Sequence, residues 1–377
     1  MTNRVISFLI LCLFVWLIWS NSGKKPNLPE TEDFISVVQE INPSDSLTSN
    51  IIGIQPYMVL EDYFTKNQFK EKIGKYIRRA EAEGLIKDNT ILLFPEYIGT
   101  WLVLEGEKMS LAKEETMGKA LTKMVLSNFF KFAWEWLNTS TEKDKAAAAI
   151  FRMKSQSMAK SYFYTFSELA KESNSYIAAG SIILPDPTVK NGNLNVNRRG
   201  PLYNASFIFG PDGKIIGEPI LKAFPIESEL PFVSAGEVAE IPVFDLPFAK
   251  TALLVCADSW FPDAYQSVNS KGAEILLVPS YCTGDGTMGK LWQGYSGQPE
   301  PKETNLQDIN SITEKEAWEK YALPGQLSKT NIQIGMNVFL RGALWDLGAD
   351  GQPLVYFQGN LIPVSHAEKA GIWSLNF

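Results

Sequence analysis

The sequence predicts an α/β protein, and three observations predict it. Short apolar runs of strand length recur along the chain, among them 51–54, 91–94, 251–255 and 275–278. Helix-periodic stretches stand between them: Phe69, Ile73, Ile77 and Ala80 fall on one face of a helix over 64–83. Turn-forming residues punctuate the boundaries, as Pro211-Asp212-Gly213-Lys214 does between two strand-like runs. Alternation of this kind builds sheets covered by helices.

The first element stands outside that rhythm. Residues 5–20 read VISFLILCLFVWLIWS, and no charge falls between Arg4 and Lys24. The intervening 19 residues make a helix about 28 Å long, near the roughly 30 Å of a bilayer's hydrocarbon core. Two outcomes fit. One is a secretory signal peptide, with Arg4 as its n-region and Ser20 and Ser22 before a cut at Gly23. The other is an uncleaved anchor over residues 1–23, with Trp16 and Trp19 in the interfacial belt. The run exceeds a usual signal h-region, which favours the anchor, with the following domain outside the cytoplasm. Arg4 faces Lys24 and Lys25 across the segment, so charge alone does not orient it. Leu11 is too large for a lipoprotein box, and Cys12 is read as an apolar residue. Residues 24–50, rich in Ser, Asn, Pro, Glu and Asp, read as a stem.

A globular domain is expected over 51–377. Its strands are placed at 51–54, 91–94, 176–183, 205–209 and 215–216. Further strands follow at 251–255, 275–278, 332–338, 343–347 and 354–357, with a helix between 255 and 275. Two insertions, 101–150 and 281–325, interrupt the pattern, and loops longer than about 15 residues usually carry function or are disordered. Trp101, Tyr281, Trp292 and Tyr295 are the candidate lining residues within them. In the first insertion, 121–137 reads as an amphipathic helix. Leu121, Val125, Leu126, Phe129, Phe130, Phe132, Ala133, Trp136 and Leu137 cover about half of its circumference, opposite Ser127, Lys131 and Glu135. It is either a helix packed in the core or a lid lying on a bilayer over the active site.

Composition removes several functions. The 377 residues carry a net charge of −7, which argues against a nucleic-acid partner, since polyphosphate binding needs clustered Lys and Arg. There is one histidine, His366, near the C-terminus, so a Ser-His-Asp triad, a Cys-His dyad or a multi-histidine zinc site would all depend on it. The three cysteines include no Cys-x-x-Cys pair, and neither a disulfide scaffold nor a cysteine metal site is supported.

Three segments end an apolar run on a reactive side chain: Leu93-Phe94-Pro95-Glu96, Ile220-Leu221-Lys222 and Leu254-Val255-Cys256. A lone cysteine is most often an inert apolar residue. Cys256, however, ends a strand and enters the sharp turn Ala257-Asp258-Ser259-Trp260-Phe261-Pro262, where backbone N–H groups converge on the same space. A free thiol with a pKa of about 8.5 needs a base or a cation nearby. Glu96 is either a surface or capping carboxylate, or a base whose pKa burial has raised. Lys222 is either a snorkelling surface lysine or a buried charge for an oxyanion.

These segments, in this order, resemble the nitrilase (carbon–nitrogen hydrolase) superfamily from about residue 51 to 377. Gln55 follows the first strand. Phe94-Pro95-Glu96 resembles the family's glutamate motif. Tyr203-Asn204 and Pro211-Asp212-Gly213 lead to Lys222 as its lysine hairpin does. Glu229 and Gly236 resemble a second glutamate and the glycine that follows. The most specific match is Cys256 to Pro262 with Gly272-Ala273-Glu274 and the strand to Ser280; Asn337 and Gly351 fit the late strand and turn. The resemblance implies an α-β-β-α sandwich of four layers that pairs into a homodimer and needs no cofactor or metal. It implies Cys256 as nucleophile, Glu96 as general base, Lys222 with the Ala257 N–H at the oxyanion, and Glu229 orienting the lysine. There are departures: Phe224 stands where a histidine is common, Glu229 is one residue closer to the lysine, and the first insertion widens the Glu96–Lys222 separation.

The leading expectation is hydrolysis of a non-peptide amide, the substrate being a small-molecule amide or acyl-amine. The alternative is a membrane-associated N-acyltransferase that passes an acyl group from the Cys256 thioester to an amine, favoured by the apolar N-terminus and residues 121–137. Against it stand the single membrane-spanning candidate and Asp258, where that branch usually has glutamate. Nitrile hydrolysis and a non-enzymatic binding role rank below both.

Overall fold

The two-residue period of a strand sorts the central side chains onto two faces. Ile51, Ile91 and Leu93 join one buried cluster with Leu253, Met336 and Val338, whereas Ile52, Ile54, Leu92 and Phe94 join another with Phe69, Ile73 and Phe166. The first set lies between two sheets, and the second lies between one sheet and its helices. The computed structural model describes residues 2–24, 28–44, 46–139 and 141–377.

The first sheet has seven strands in the order Ile35–Ile41, Ala370–Asn376, Ser49–Gln55, Asn89–Leu93, Tyr176–Pro185, Leu202–Phe209 and Ile215–Leu221. The second has six: Val243–Leu246, Ala249–Leu253, Ile275–Ser280, Ile334–Phe339, Leu354–Phe357 and Asn360–Ile362. The central strands of both are parallel and nearly continuously apolar, as strands buried on both faces must be. The sheets approach closely at Gly53, where a Cβ would meet Met336 and come within 2.8 Å of Val338 Cγ1. The helices are α1 (Thr2–Asn21), α2 (Lys66–Ala82), α3 (Met117–Ser127), α4 (Phe129–Leu137), α5 (Lys145–Ser173), α6 (Pro262–Ser270), α7 (Glu314–Tyr321) and α8 (Leu323–Leu327). α2 and α5 cover the first sheet, and α6, α7 and α8 cover the second, giving the expected four layers.

Several expectations need correction. The stem over 24–50 contains a strand: Ile35–Ile41 pairs in parallel with Ala370–Asn376 at the edge of the first sheet. Its partner lies more than 300 residues away, so no local pattern announces it. Lys25, Pro26, Asn27 and Asp45 of that stem lie outside the described residues, as do Met1 and Ser140. The strand expected at 343–347 is instead Arg341–Ala343, paired with Tyr57–Val59. The insertion 101–150 ends inside α5, which begins at Lys145 with Asp144 capping two N–H groups of its first turn.

Residues 121–137 form two helices, broken at Asn128; Leu121, Val125 and Phe132 pack against the core, but much of the remaining apolar surface faces outward. Leu126, Phe129, Phe130, Trp134, Trp136 and Leu137 are exposed, while Ser127 and Glu135 are buried. Buried Glu135 pairs with Arg198 and Arg199, which fixes the polar face inward. The core-packing reading thus holds for Met124 with Leu121, Val125 and Phe132, and not for the exposed apolar residues of the second helix. The end of α1 lies beside these helices: Trp16 Nε1 donates to Leu126 O at 3.0 Å, and the Trp16 and Phe130 rings meet edge to face at 5.1 Å.

Candidate active site

Three chain segments leave their strands at the same end of the stacked sheets and bring their side chains together. Asn89–Leu93 runs on to Glu96, Ile215–Leu221 to Lys222, and Ala249–Leu253 to Cys256. A bulge in the neighbouring strand between Ala178 and Ser181 makes room for the first of these. Gly180 there has φ +68°, and a Cβ on it would strike the Pro95 carbonyl. Ser181 Oγ then accepts the Tyr97 N–H at 2.9 Å, which fixes the chain on either side of Glu96.

The resulting polar group is buried and internally paired. Lys222 Nζ donates to Glu96 Oε1 at 2.9 Å and to Glu229 Oε2 at 2.7 Å. Asn204 Nδ2 bridges the two carboxylates, at 2.9 Å to each. Glu229 also accepts from the Tyr97 hydroxyl and from the Ile226 N–H. Glu96, Lys222 and Glu229 are each at most 2% exposed. Charges so deep are tolerable only when paired and hydrogen-bonded throughout.

The electrostatics divide the two carboxylates. Burial raises the pKa of Glu96, against the pull of Lys222, and the Glu229 charge adds to the rise. Burial acts on Glu229 too, but Lys222 and the Tyr97 and Ile226 donors overrule it and hold it below the usual range. Burial alone would lower the pKa of Lys222, but the charges of Glu229 and Glu96 hold it well above the ordinary lysine value. One carboxylate is thus a fixed counter-ion, and the other is poised to take up a proton.

Cys256 stands in front of this group. Its φ is +49°, in the left-handed region that a non-glycine residue rarely occupies, and it opens the 3-10 turn Cys256–Trp260. Burial and the neighbouring Glu96 charge push its thiol well above the usual value, so the resting group is the protonated thiol. Cys256 and Ala257 line a cavity of about 440 Å³, whose wall also includes Trp260, Tyr281, Trp292 and Tyr295. Of the four lining residues expected from the insertions, Tyr281, Trp292 and Tyr295 are therefore in place. Trp101 is elsewhere, packed on Trp345 at 5.9 Å between ring centres. No residue of 121–137 lines this cavity, so the expected lid does not cover it. His366 is exposed and lines a different hollow.

Sequence reasoning brought Glu96, Lys222, Cys256, Glu229 and Ala257 to one site but gave no role to Asn204, Tyr97 or Asp258. Asp258 latches two of the segments together: Oδ1 accepts from Ala223 N at 2.9 Å and Phe224 N at 2.8 Å, and Oδ2 accepts from Val255 N at 3.2 Å. A signal existed for Asp258, an acid two residues after the cysteine in an otherwise apolar turn. Phe224, in the place of the common histidine, stacks on Phe261 with ring centres 3.9 Å apart.

Burial pushes Asp258 up to about 7, against the Lys222 charge and its three N–H donors. Its folded pKa lies above its unfolded value of 3.8, so the folded state binds the extra proton and stability falls as pH rises between the two. On going from about pH 5 to about pH 8 in urea denaturation, the native chain should lose about 2 kcal/mol more than Asp258→Asn does. Equal losses would show that Asp258 does not titrate in this window.

The chain is similar to known proteins in sequence and in fold. The family model for carbon-nitrogen hydrolase matches residues 63–304. The chain is 30% identical over 152 residues to a Bacillus subtilis protein named "Probable hydrolase YhcX", covering 40% of this chain and 26% of that protein. It is 31% identical over 121 residues to omega-amidase NIT2 of Mus musculus, covering 30% of this chain and 39% of that one. The matched segments thus span well under half the length of these relatives. Among solved structures, an amidase from Nesterenkonia sp. aligns with a TM-score of 0.53 at 15% identity, over 89% of this chain and 93% of its own. Another structure of that amidase, with a residue replaced by alanine and butyramide bound, aligns with a TM-score of 0.53 at 14% identity, over 89% and 94%. At that identity the likeness is one of fold.

Proposed function

The chain belongs to the carbon-nitrogen hydrolase family, and from that premise we infer that it hydrolyses a non-peptide amide through Cys256. The observation that carries this reading is the buried Glu96–Lys222–Glu229 group directly behind a protonated thiol that faces a cavity. Glu96 takes the Sγ proton as sulfur bonds to the amide carbon. The carbonyl electrons move onto oxygen, where the Lys222 ammonium and the Ala257 N–H meet the negative charge. Protonating Glu96 removes one of the two charges that neutralise Lys222, so the ammonium becomes a stronger partner as the oxyanion develops. Glu96 then passes its proton to the leaving nitrogen, the C–N bond breaks, and a thioester remains on Cys256. Glu96 deprotonates a water, which releases the acid and restores the thiol.

Ammonia should appear from simple aliphatic amides without any added amine. Glu96 must be ionised to act and its pKa is raised, so kcat/KM should decline with acidification above the ordinary carboxylate range. An acid limb at or below an ordinary glutamate value of about 4.3 would contradict the role of Glu96. A second reading, acyl transfer to an amine, draws support from the exposed apolar face beside α1. Strict dependence of turnover on an amine acceptor would select it over hydrolysis.

The same face supports a membrane location. α1 is apolar and long enough to span a bilayer, with an 18-residue stretch from Arg4 to Asn21 at mean hydropathy 1.9. We infer that α1 anchors the chain, that the catalytic domain lies outside the cytoplasm, and that α4 rests on the bilayer with its Phe and Trp side chains in the interface. Without residues 1–23, the chain should still float with liposomes. Phe130→Glu with Trp134→Glu should leave it in the dense fraction with unchanged circular dichroism. Equal flotation of both would remove the interfacial role of α4.

A further inference from the structure

The cavity in front of Cys256 holds one feature that amide chemistry does not use. Glu314 lines it and, among the described lining residues, is the only one that carries a charge. As the first residue of α7 it has an ordinary explanation, a carboxylate favoured by the helix dipole. That task is already met: Thr313 and Glu316 form a reciprocal capping box, Thr313 Oγ1 accepting from Glu316 N and Glu316 accepting the Thr313 N–H. Glu314 has no Lys, Arg or His within salt-bridge distance among the described residues, whereas the buried Asp308 pairs with Lys320. Burial pushes the Glu314 pKa up to about 7, against a hydrogen bond from Trp318, so above that pH the carboxylate is charged with no cation paired to it among the described residues.

The wall beside it is aromatic. Trp260 and Trp292 stack at 5.9 Å, Trp318 meets Trp260 edge to face at 4.9 Å, and Tyr295 stands across both Trp260 and Trp292. Ring faces attract cations through their quadrupole, and a carboxylate repels anions. We propose that this cavity selects an amide whose far end carries a quaternary or primary ammonium group, with Glu314 as its counter-charge and the Trp260 and Tyr295 rings beside it. The volume, about 440 Å³, suits a small molecule that reaches from Glu314 to the thiol. The proposal rests on the amidase reading and names the class of substrate for the same site.

Matched amides test it: 4-trimethylammoniobutanamide, its carbon isostere 5,5-dimethylhexanamide, and glutaramic acid, assayed above pH 7 where Glu314 is ionised. The cationic amide should have a KM about tenfold or more below the neutral isostere, and the acid should be the poorest. Glu314→Gln should raise the cationic KM by about tenfold and so erase its advantage over the neutral isostere. Equal KM values for cation and isostere, or a Glu314→Gln effect shared by both, would overturn the proposal. Binding is read separately, through the quenching of tryptophan fluorescence by the same amides in the full chain. If no amide turns over, the amidase reading fails. The selection still stands or falls on whether the cationic amide binds more tightly than the isostere and loses that advantage in Glu314→Gln.

Discussion

Cys256→Ala should lower kcat for any amide substrate by about 10⁴-fold or more while leaving the fold unchanged. The side chain is small, and alanine keeps its methylene and removes only the sulfur, so the change costs little packing. Alanine also tolerates a φ of +49° no worse than cysteine does. What disappears is the atom that forms the bond. Cys256→Ser should fare scarcely better, because Glu96 is a far weaker base towards a hydroxyl than towards a thiol. Turnover assays paired with circular dichroism check both. Residual activity above about one per cent in Cys256→Ala, with folding intact, would mean that another group attacks the amide.

Lys222→Met should cost activity and stability together. The ammonium is the only cation within hydrogen-bonding reach of Glu96 and Glu229 among the described residues. Removing one partner of a buried ion pair typically costs about 3–5 kcal/mol. The loss of oxyanion stabilisation should lower kcat by a further 10²- to 10³-fold. The stability defect should depend on pH in a definite direction. In the native chain the folded pKa of Glu229 is depressed, so its contribution is present above the unfolded value and is lost as pH falls. Without Lys222 both carboxylates have raised folded values, so the variant gains relative stability on acidification. Denaturation curves for the two chains should therefore converge towards low pH. A gap that stays constant across pH would mean that Lys222 contributes by packing rather than by charge. Lys222→Arg should not rescue activity, because the forked guanidinium cannot occupy the point position between two carboxylates.

The reactive residues were legible in the sequence because each ends an apolar strand, where a charge or thiol conflicts with its surroundings. Glu96, Lys222 and Cys256 all carry that conflict. Asn204 stands in the sequence only within a motif, since an asparagine inside a strand reads as a local irregularity without the two carboxylates it bridges. The outward apolar surface of α4 shows a different limit. Periodicity identifies an apolar face but not which way it points, and the inward direction is fixed by Arg198 and Arg199, more than sixty residues beyond Glu135. The edge strand Ile35–Ile41 escaped for the same reason: its partner is the C-terminal strand. Fold class followed from local patterns, whereas these features depend on contacts distant in sequence.

The central claim is a thioester on Cys256 during turnover. Acid quenching of the full chain during steady-state hydrolysis of a simple amide, followed by peptide-level mass spectrometry, tests it directly. The account predicts an acyl increment on the Cys256 peptide, absent from the Cys12 and Cys282 peptides, which disappears when the substrate is exhausted. Product formation with Cys256 unmodified at every quench time, under conditions where the hydrolysis of a thioester would be the slow step, would contradict it.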